Sequence, residues 1–170
     1  MADLKRCREM MEEVMRLFAR RLYKALLARA GEGSEWSPEA AGGRRIPLLA
    51  AAGGGAYYFL RAVEERGQAT VSEVAADLGV TLAAVTTLAK KLARAGWVTR
   101  QRDERDRRVV WLALSPEGKR VFAAVEAVRG EVFCRYFGSL DEREVETLIS
   151  IMDRVRVKLT EEGWEGEERK

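Results

Sequence analysis

Residues 70–96 read TVSEVAADLGVTLAAVTTLAKKLARAG, and this stretch decides the fold. Thr70 and Glu73 stand three apart, the spacing at which a hydroxyl and a carboxylate satisfy free amides at a helix start. The short helix they open turns Val74, Ala75 and Leu78 inward. It stops at Gly79, a residue that tolerates the left-handed conformation of a helix end. Thr81 caps a further helix whose predicted buried side is Leu82, Val85, Leu88 and Leu92, ended by Gly96. Upstream, Ala56, Phe59, Leu60 and Val63 mark an apolar stripe that closes at Gly67. Two short helices joined across Gly79, Val80 and Thr81 have the pattern of a helix-turn-helix.

After Gly96 the apolar period changes from helical to alternating. Trp97–Arg100 and Val109–Leu114 read as paired strands with Val110, Leu112 and Leu114 facing the core. Between them lies a charged loop, residues 101–108. A helix-turn-helix followed directly by such a hairpin is a winged helix. Ser115 then caps a helix with Pro116 in its first turn, where a missing amide hydrogen costs nothing. Its stripe runs Val121, Phe122, Val125, Val128, Val132, Phe133 and Tyr136 to Gly138. Asp141 and Glu144 form another capping box, with Leu140 and Val145 as its staple. The last helix is expected to bury Leu148, Ile149, Met152, Val155 and Leu159, and the charged tail beyond Gly163 to fray.

The amino-terminal segment repeats Leu4, Cys7, Met11, Val14, Phe18, Leu22 and Ala25 at helical spacing, with Met15 and Leu26 widening the stripe. A helix of this length at a chain end needs a partner surface, and a second copy's helix supplies one. Between Ala30 and Gly55 several glycines, Pro38 and Pro47 break any long helix, leaving a linker with short helical turns near the prolines. The organisation read from the sequence is therefore mainly α with a small β-hairpin wing. Residues 1–30 form an amino-terminal dimerisation helix and 31–55 a linker. A winged helix-turn-helix DNA-binding region follows at 56–115. Helices over 116–162 follow, before a charged tail at 163–170.

Composition narrows the function. The 170 residues include no histidine, and the formal net charge is +3. That removes the commonest general base, the usual nucleophile pairs and most zinc geometries. No phosphate-binding loop is present, and Gly53–Gly55 does not follow a strand in dinucleotide-binding spacing. Adjacent or exposed acids such as Glu64 with Glu65, or Asp103 with Asp106, lack the burial that tunes catalytic pairs. No catalytic residue, metal site or cofactor is expected. Without a membrane-length apolar run, a signal peptide or a disulfide framework, the expected compartment is the cytoplasm, with no membrane partner.

With these residues in view, the chain resembles the MarR (multiple antibiotic resistance) family of regulators from about Tyr57 through Leu159. The likeness rests on Thr70–Gly79, Val85-Thr86, Leu92 and Gly96–Arg100. Its most specific part is Asp106-Arg107-Arg108 followed by Leu114, Ser115 and Gly118. These match the family's wing, an Asp-x-Arg pair set a fixed distance before Leu-Thr-x-x-Gly. The chain departs from the family in a longer linker before Tyr57 and in Thr87, where an Arg is common.

The resemblance implies a homodimer, its dimerisation module built from residues 1–30 and the helices over 116–162, on a pseudo-palindromic double-stranded DNA site. The site is expected to meet Thr81, Ala83, Ala84, Thr86, Thr87, Lys90 and Lys91 of one helix. From the wing it is expected to meet Arg105, Asp106, Arg107 and Arg108. Ala and Thr are short enough to let a backbone enter a major groove, with methyls against thymine methyls and hydroxyls against base edges or phosphates. Lys90, Lys91 and Arg94 suit phosphates. By resemblance, Arg108 is the wing-tip residue that enters the minor groove and Asp106 positions it. Family members commonly release DNA on binding a small aromatic or lipophilic effector. Met15, Phe18, Tyr57 and Tyr58, with Met11 and Trp36, are the candidate lining here. Two alternatives stay open: a protein-interaction module without sequence preference on DNA, and a thiol-based redox sensor using Cys7. Cys134 reads as inert.

Overall fold

The computed structural model describes residues 3–31 and 55–161. The linker turns expected after Gly31, and Trp36 with them, lie outside those residues. The elements are α1 (Leu4–Gly31), α2 (Gly55–Arg66), β1 (Ala69–Thr70), α3 (Val71–Leu78) and α4 (Leu82–Arg94). They continue with β2 (Val98–Arg102), β3 (Val110–Leu114), α5 (Pro116–Phe137) and α6 (Glu142–Glu161). The chain divides into two compact units, Met1–Val132 and Phe133–Lys170.

In the first unit one apolar cluster holds α2, α3, α4 and the sheet together. Phe59, Val63, Val74, Ala89 and Leu112 are fully buried in it, and Val121 and Val125 of α5 join them. Thr70 forms the expected capping box: its Oγ1 accepts from Glu73 N at 3.2 Å, and Thr70 N donates to Glu73 Oε2 at 2.7 Å. The Thr70 amide, and after it the Thr70 hydroxyl donating to the same oxygen at 2.8 Å, hold the Glu73 carboxyl below its usual range. At the other end of α3, Gly79 adopts φ 60°, and its amide and that of Val80 bond back to Ala76 and Ala75 carbonyls. A side chain would be strained in that conformation. The chain then turns so that α3 and α4 are bent by 113° to one another, the helix-turn-helix geometry.

Three features differ from the sequence reading. The wing hairpin is part of a three-stranded antiparallel sheet in the order β1-β3-β2, because Ala69 and Thr70 pair with Leu112 and Trp111. Two residues are too short a run to show a period. Strand β2 also extends through Gln101 and Arg102, opposite Trp111 and Val110, so the charged loop begins at Asp103. Leu82, expected on the buried side of α4, is 55 % exposed. The helical stripe does continue to Leu82, but the core beneath it ends at Val85, and Ala89 supplies the burial that Leu82 does not.

The expected amino-terminal and last helices form, but their apolar stripes are mostly exposed within the single chain. Among the residues of α1 whose side chains are described, Leu22 and Leu26 are the buried ones, with Phe18 and Ala25 partly covered. Near the same end of α1, Arg29 makes two bonds to the Glu131 carboxylate, at 2.8 and 2.9 Å. In the second unit the Asp141–Glu144 capping box closes as expected. Yet α6 has no buried residue, and Ile149, Met152, Val155 and Leu159 are all exposed. Phe133 and Tyr136 of the same unit are exposed as well, with Phe133 stacked on Phe137. Among the described residues no single helix is long and apolar enough to cross a membrane.

Candidate nucleic-acid interface

Helix α4 presents one face to the core and the other to solvent. Thr81 accepts from Ala84 N at 3.2 Å and fixes the first turn. Val85, Ala89 and Leu92 are buried, while Thr81, Ala83, Ala84, Thr87, Lys90 and Lys91 are exposed and Thr86 is half-buried. The expected recognition residues therefore share an accessible helix. At its end Gly96 takes φ 81°, and Trp97 N bonds to Leu92 O, steering the chain into β2.

The wing is built by carboxylates that grip backbone amides. Asp103 Oδ1 accepts from Arg105 N at 2.8 Å and Asp106 N at 2.9 Å, while Oδ2 accepts from the Trp111 indole at 3.0 Å. The indole bond is the main reason the Asp103 carboxyl sits below its usual range, with the two amides adding to it. The loop is closed by Asp103 N to Val109 O and Val109 N to Asp106 O. At the tip, Asp106 Oδ1 accepts from both the amide and Nε of Arg108, and Oδ2 from Nη2 at 3.1 Å. This bidentate grip lowers the Asp106 carboxyl. Arg108 nonetheless remains 91 % exposed in its side chain. The guanidinium is thus oriented and accessible at once, which limits the rotamer freedom it loses on meeting an anionic partner. Arg105 and Arg107 flank it, also exposed.

The motif after the wing has a packing reason. Ser115 N donates to Trp97 O, Ser115 Oγ donates to Gly96 O, and Gly118 N donates to Ser115 Oγ. One hydroxyl therefore joins the end of α4 to the start of α5. The first turn of α5 lies so close to the start of β2 that a Cβ on Gly118 would overlap the Trp97 carbonyl. Residues 115 and 118 thus set where the wing stands relative to α4.

Among the described residues, the candidate effector residues Met15, Phe18 and Tyr57 do not line the depression that holds Tyr58. Tyr57 is buried: its hydroxyl donates to Glu126 Oε1 at 2.7 Å, and the Arg129 guanidinium carbon lies 3.9 Å from its ring centroid. Burial first, then the Glu126 bond, raise its phenol above the ordinary range. Tyr58 is half-exposed and lines an open depression of about 450 Å³ with Arg61, Ala62, Glu65, Arg66, Asp77 and Leu78. The charges there are already paired, Arg61 with Glu65 and Arg66 with Asp77. Met11 and Met15 are exposed, and Phe18 is half-buried. Cys7 and Cys134 are both free and exposed.

Residues 56–110 match the sequence model of the MarR family. The chain carries a MarR-family domain. Its span runs from the first buried residue of α2 to the start of β3, so the helix-turn-helix and the wing tip both fall inside it. Two relatives of this MarR-family domain come from Bacillus subtilis (strain 168). The chain is 28 % identical over 99 residues to the HTH-type transcriptional regulator YpoP, covering 58 % of this chain and 70 % of that one. It is 35 % identical over 86 residues to the HTH-type transcriptional repressor MdtR, covering 51 % of this chain and 56 % of that one. The match thus spans little more than half of MdtR. The fold is also that of Streptococcus pneumoniae FabT, solved in complex with DNA. The TM-score is 0.70 at 21 % identity, covering 94 % of this chain and 99 % of FabT.

The Asp103–Trp111 bond escaped the sequence reading, which treated Asp103 only as a member of an acidic pair. Nothing in the spacing of an aspartate and a tryptophan eight positions apart signals it until the hairpin register is known.

Proposed function

We propose that the chain is a homodimeric, non-enzymatic transcription regulator that binds a specific double-stranded DNA site. In this reading it is a cytoplasmic repressor released by a small aromatic or lipophilic effector. The observation that carries it is the Asp106–Arg108 grip. An always-charged guanidinium, weakly hydrated and held at an exposed hairpin tip, suits a narrow minor groove. The neighbouring helix carries small side chains and then Lys90 and Lys91, a sequence suited to a groove floor followed by phosphates.

Homodimerisation is supported by the apolar residues left open on α1 and α6. Met10, Met11, Val14, Met15 and Leu17 are exposed on the first, and Ile149, Ile151, Met152 and Val155 on the second. Exposed apolar patches beyond those of ordinary surfaces mark interaction sites. Repression is supported by the likeness to MdtR, and the effector by the family resemblance.

The test is selection of bound duplexes from a random pool by the purified full chain, with its mass in solution measured in parallel. An enriched near-palindrome with half-sites about one helical turn apart, bound by a species of twice the chain mass, is the expected result. A folded protein that enriches no sequence overturns the reading.

A further inference from the structure

The first two turns of α4, Leu82–Ala89, contain no Arg, Lys, Asn, Gln, Asp or Glu. Of these, Arg or Lys on guanine and Asn or Gln on adenine read bases by paired hydrogen bonds, and Asp or Glu accepts from the cytosine amino group. In a helix-turn-helix the amino-terminal part of the second helix meets the base edges. Here that part offers apolar surface. Leu82 is 55 % exposed and Val80, just before the cap, 46 %. Ala83, Ala84 and Thr87 are exposed beside them. A single exposed leucine is ordinary. This one belongs to a cluster at the tip of a helix whose next turn carries Lys90 and Lys91 and whose neighbouring wing carries Arg105, Arg107 and Arg108.

An apolar tip between basic flanks is complementary to a duplex groove, where phosphates lie at the rims and bases at the floor. The apolar group that the base-pair code places on the major-groove floor is the 5-methyl of thymine. We propose that Leu82 and Ala83, with Thr87 one turn on, read each half-site through thymine 5-methyl groups. Selection for A·T pairs at those positions then comes from apolar contact. This rests on the DNA-binding reading above and adds the chemistry by which the site is recognised.

The experiment starts from the duplex enriched by the full chain and replaces each thymine in turn with uracil, which removes only the 5-methyl. At one or two positions per half-site, uracil is expected to weaken binding about fourfold for each methyl withdrawn from apolar contact. Leu82→Ala is expected to bind the thymine and uracil duplexes equally at one of those positions, with its salt dependence unchanged. Because Leu82 is exposed, the variant should keep its thermal unfolding midpoint, and that measurement accompanies the binding assay. If uracil at every position leaves affinity unchanged, the methyl reading is overturned while DNA binding stands. If Leu82→Ala keeps the full discrimination, Leu82 is not the reader. If no duplex is enriched at all, the DNA-binding reading fails and this one with it.

Discussion

The wing and helix α6 use their side chains in opposite ways. Between Asp103 and Trp111 two carboxylates hold three backbone amides, an indole and a guanidinium, all from residues no more than eight positions away. Helix α6 is equally well capped at its start, yet buries none of its twenty residues. The wing is therefore complete in one chain. The helix has a determined secondary structure and an apolar face left exposed among the described residues. Local hydrogen bonding can specify an element fully, whereas packing requires a surface from elsewhere in the fold or from another molecule.

The largest effect should come from the core beneath the wing. Phe59→Ala removes a fully buried ring and is expected to cost about 3–5 kcal/mol of stability, measured by denaturant unfolding. The opposite pole is Met152→Ser, at a residue 62 % exposed in the chain. It should change the stability of the isolated chain by less than about 0.5 kcal/mol yet lower the mass seen by sedimentation at micromolar concentration. A variant that stays dimeric at all concentrations would place the interface elsewhere.

Next in size is the wing tip. Arg108→Ala should weaken binding to the selected duplex about tenfold to a hundredfold while leaving the unfolding midpoint unchanged. Unchanged affinity in a folded dimer would remove Arg108 from the interface. Smaller again is the effect of acid on the wing. The Asp103 carboxyl titrates below its usual range when its bonds to Trp111, Asp106 and Arg105 are made. Closure is then fully favoured above the ordinary aspartate value of about 3.9 and is lost as pH falls through the lower folded value. The Trp111 indole N–H resonance reports it: it should hold its position down to about pH 4 and move below. In Asp103→Asn the resonance should already be displaced at neutral pH. The smallest change is expected for Lys90→Ala, which should reduce the slope of log affinity against log salt by about one.

Much of the winged-helix region was legible because its signals are local. The capping boxes at Thr70–Glu73 and Asp141–Glu144 act over three residues, and the Gly79 turn depends on one. The change from helical to alternating period after Gly96 needed only the next few positions. The Asp106–Arg108 pair was legible for the same reason, since two side chains two apart on a tight loop share a side. The candidate effector residues Met15, Phe18, Tyr57 and Tyr58 come from separate helices, and how those helices pack is not displayed by neighbouring positions in the sequence.

The sequence by itself determined where α2 to α6 and the wing begin and end to within a few residues, since caps, glycines and periodicity act on neighbouring backbone. Only the tertiary structure decided that Ala69 and Thr70 pair with a strand more than forty residues on, that Trp111 reaches Asp103, that Tyr57 is sealed beneath Glu126 and Arg129, and that Leu82 stands beyond the edge of the core. Each of these depends on the register of distant segments or on where the packed interior stops. Both are properties of the assembled chain, because burial is shared among elements and no single stretch of sequence carries it.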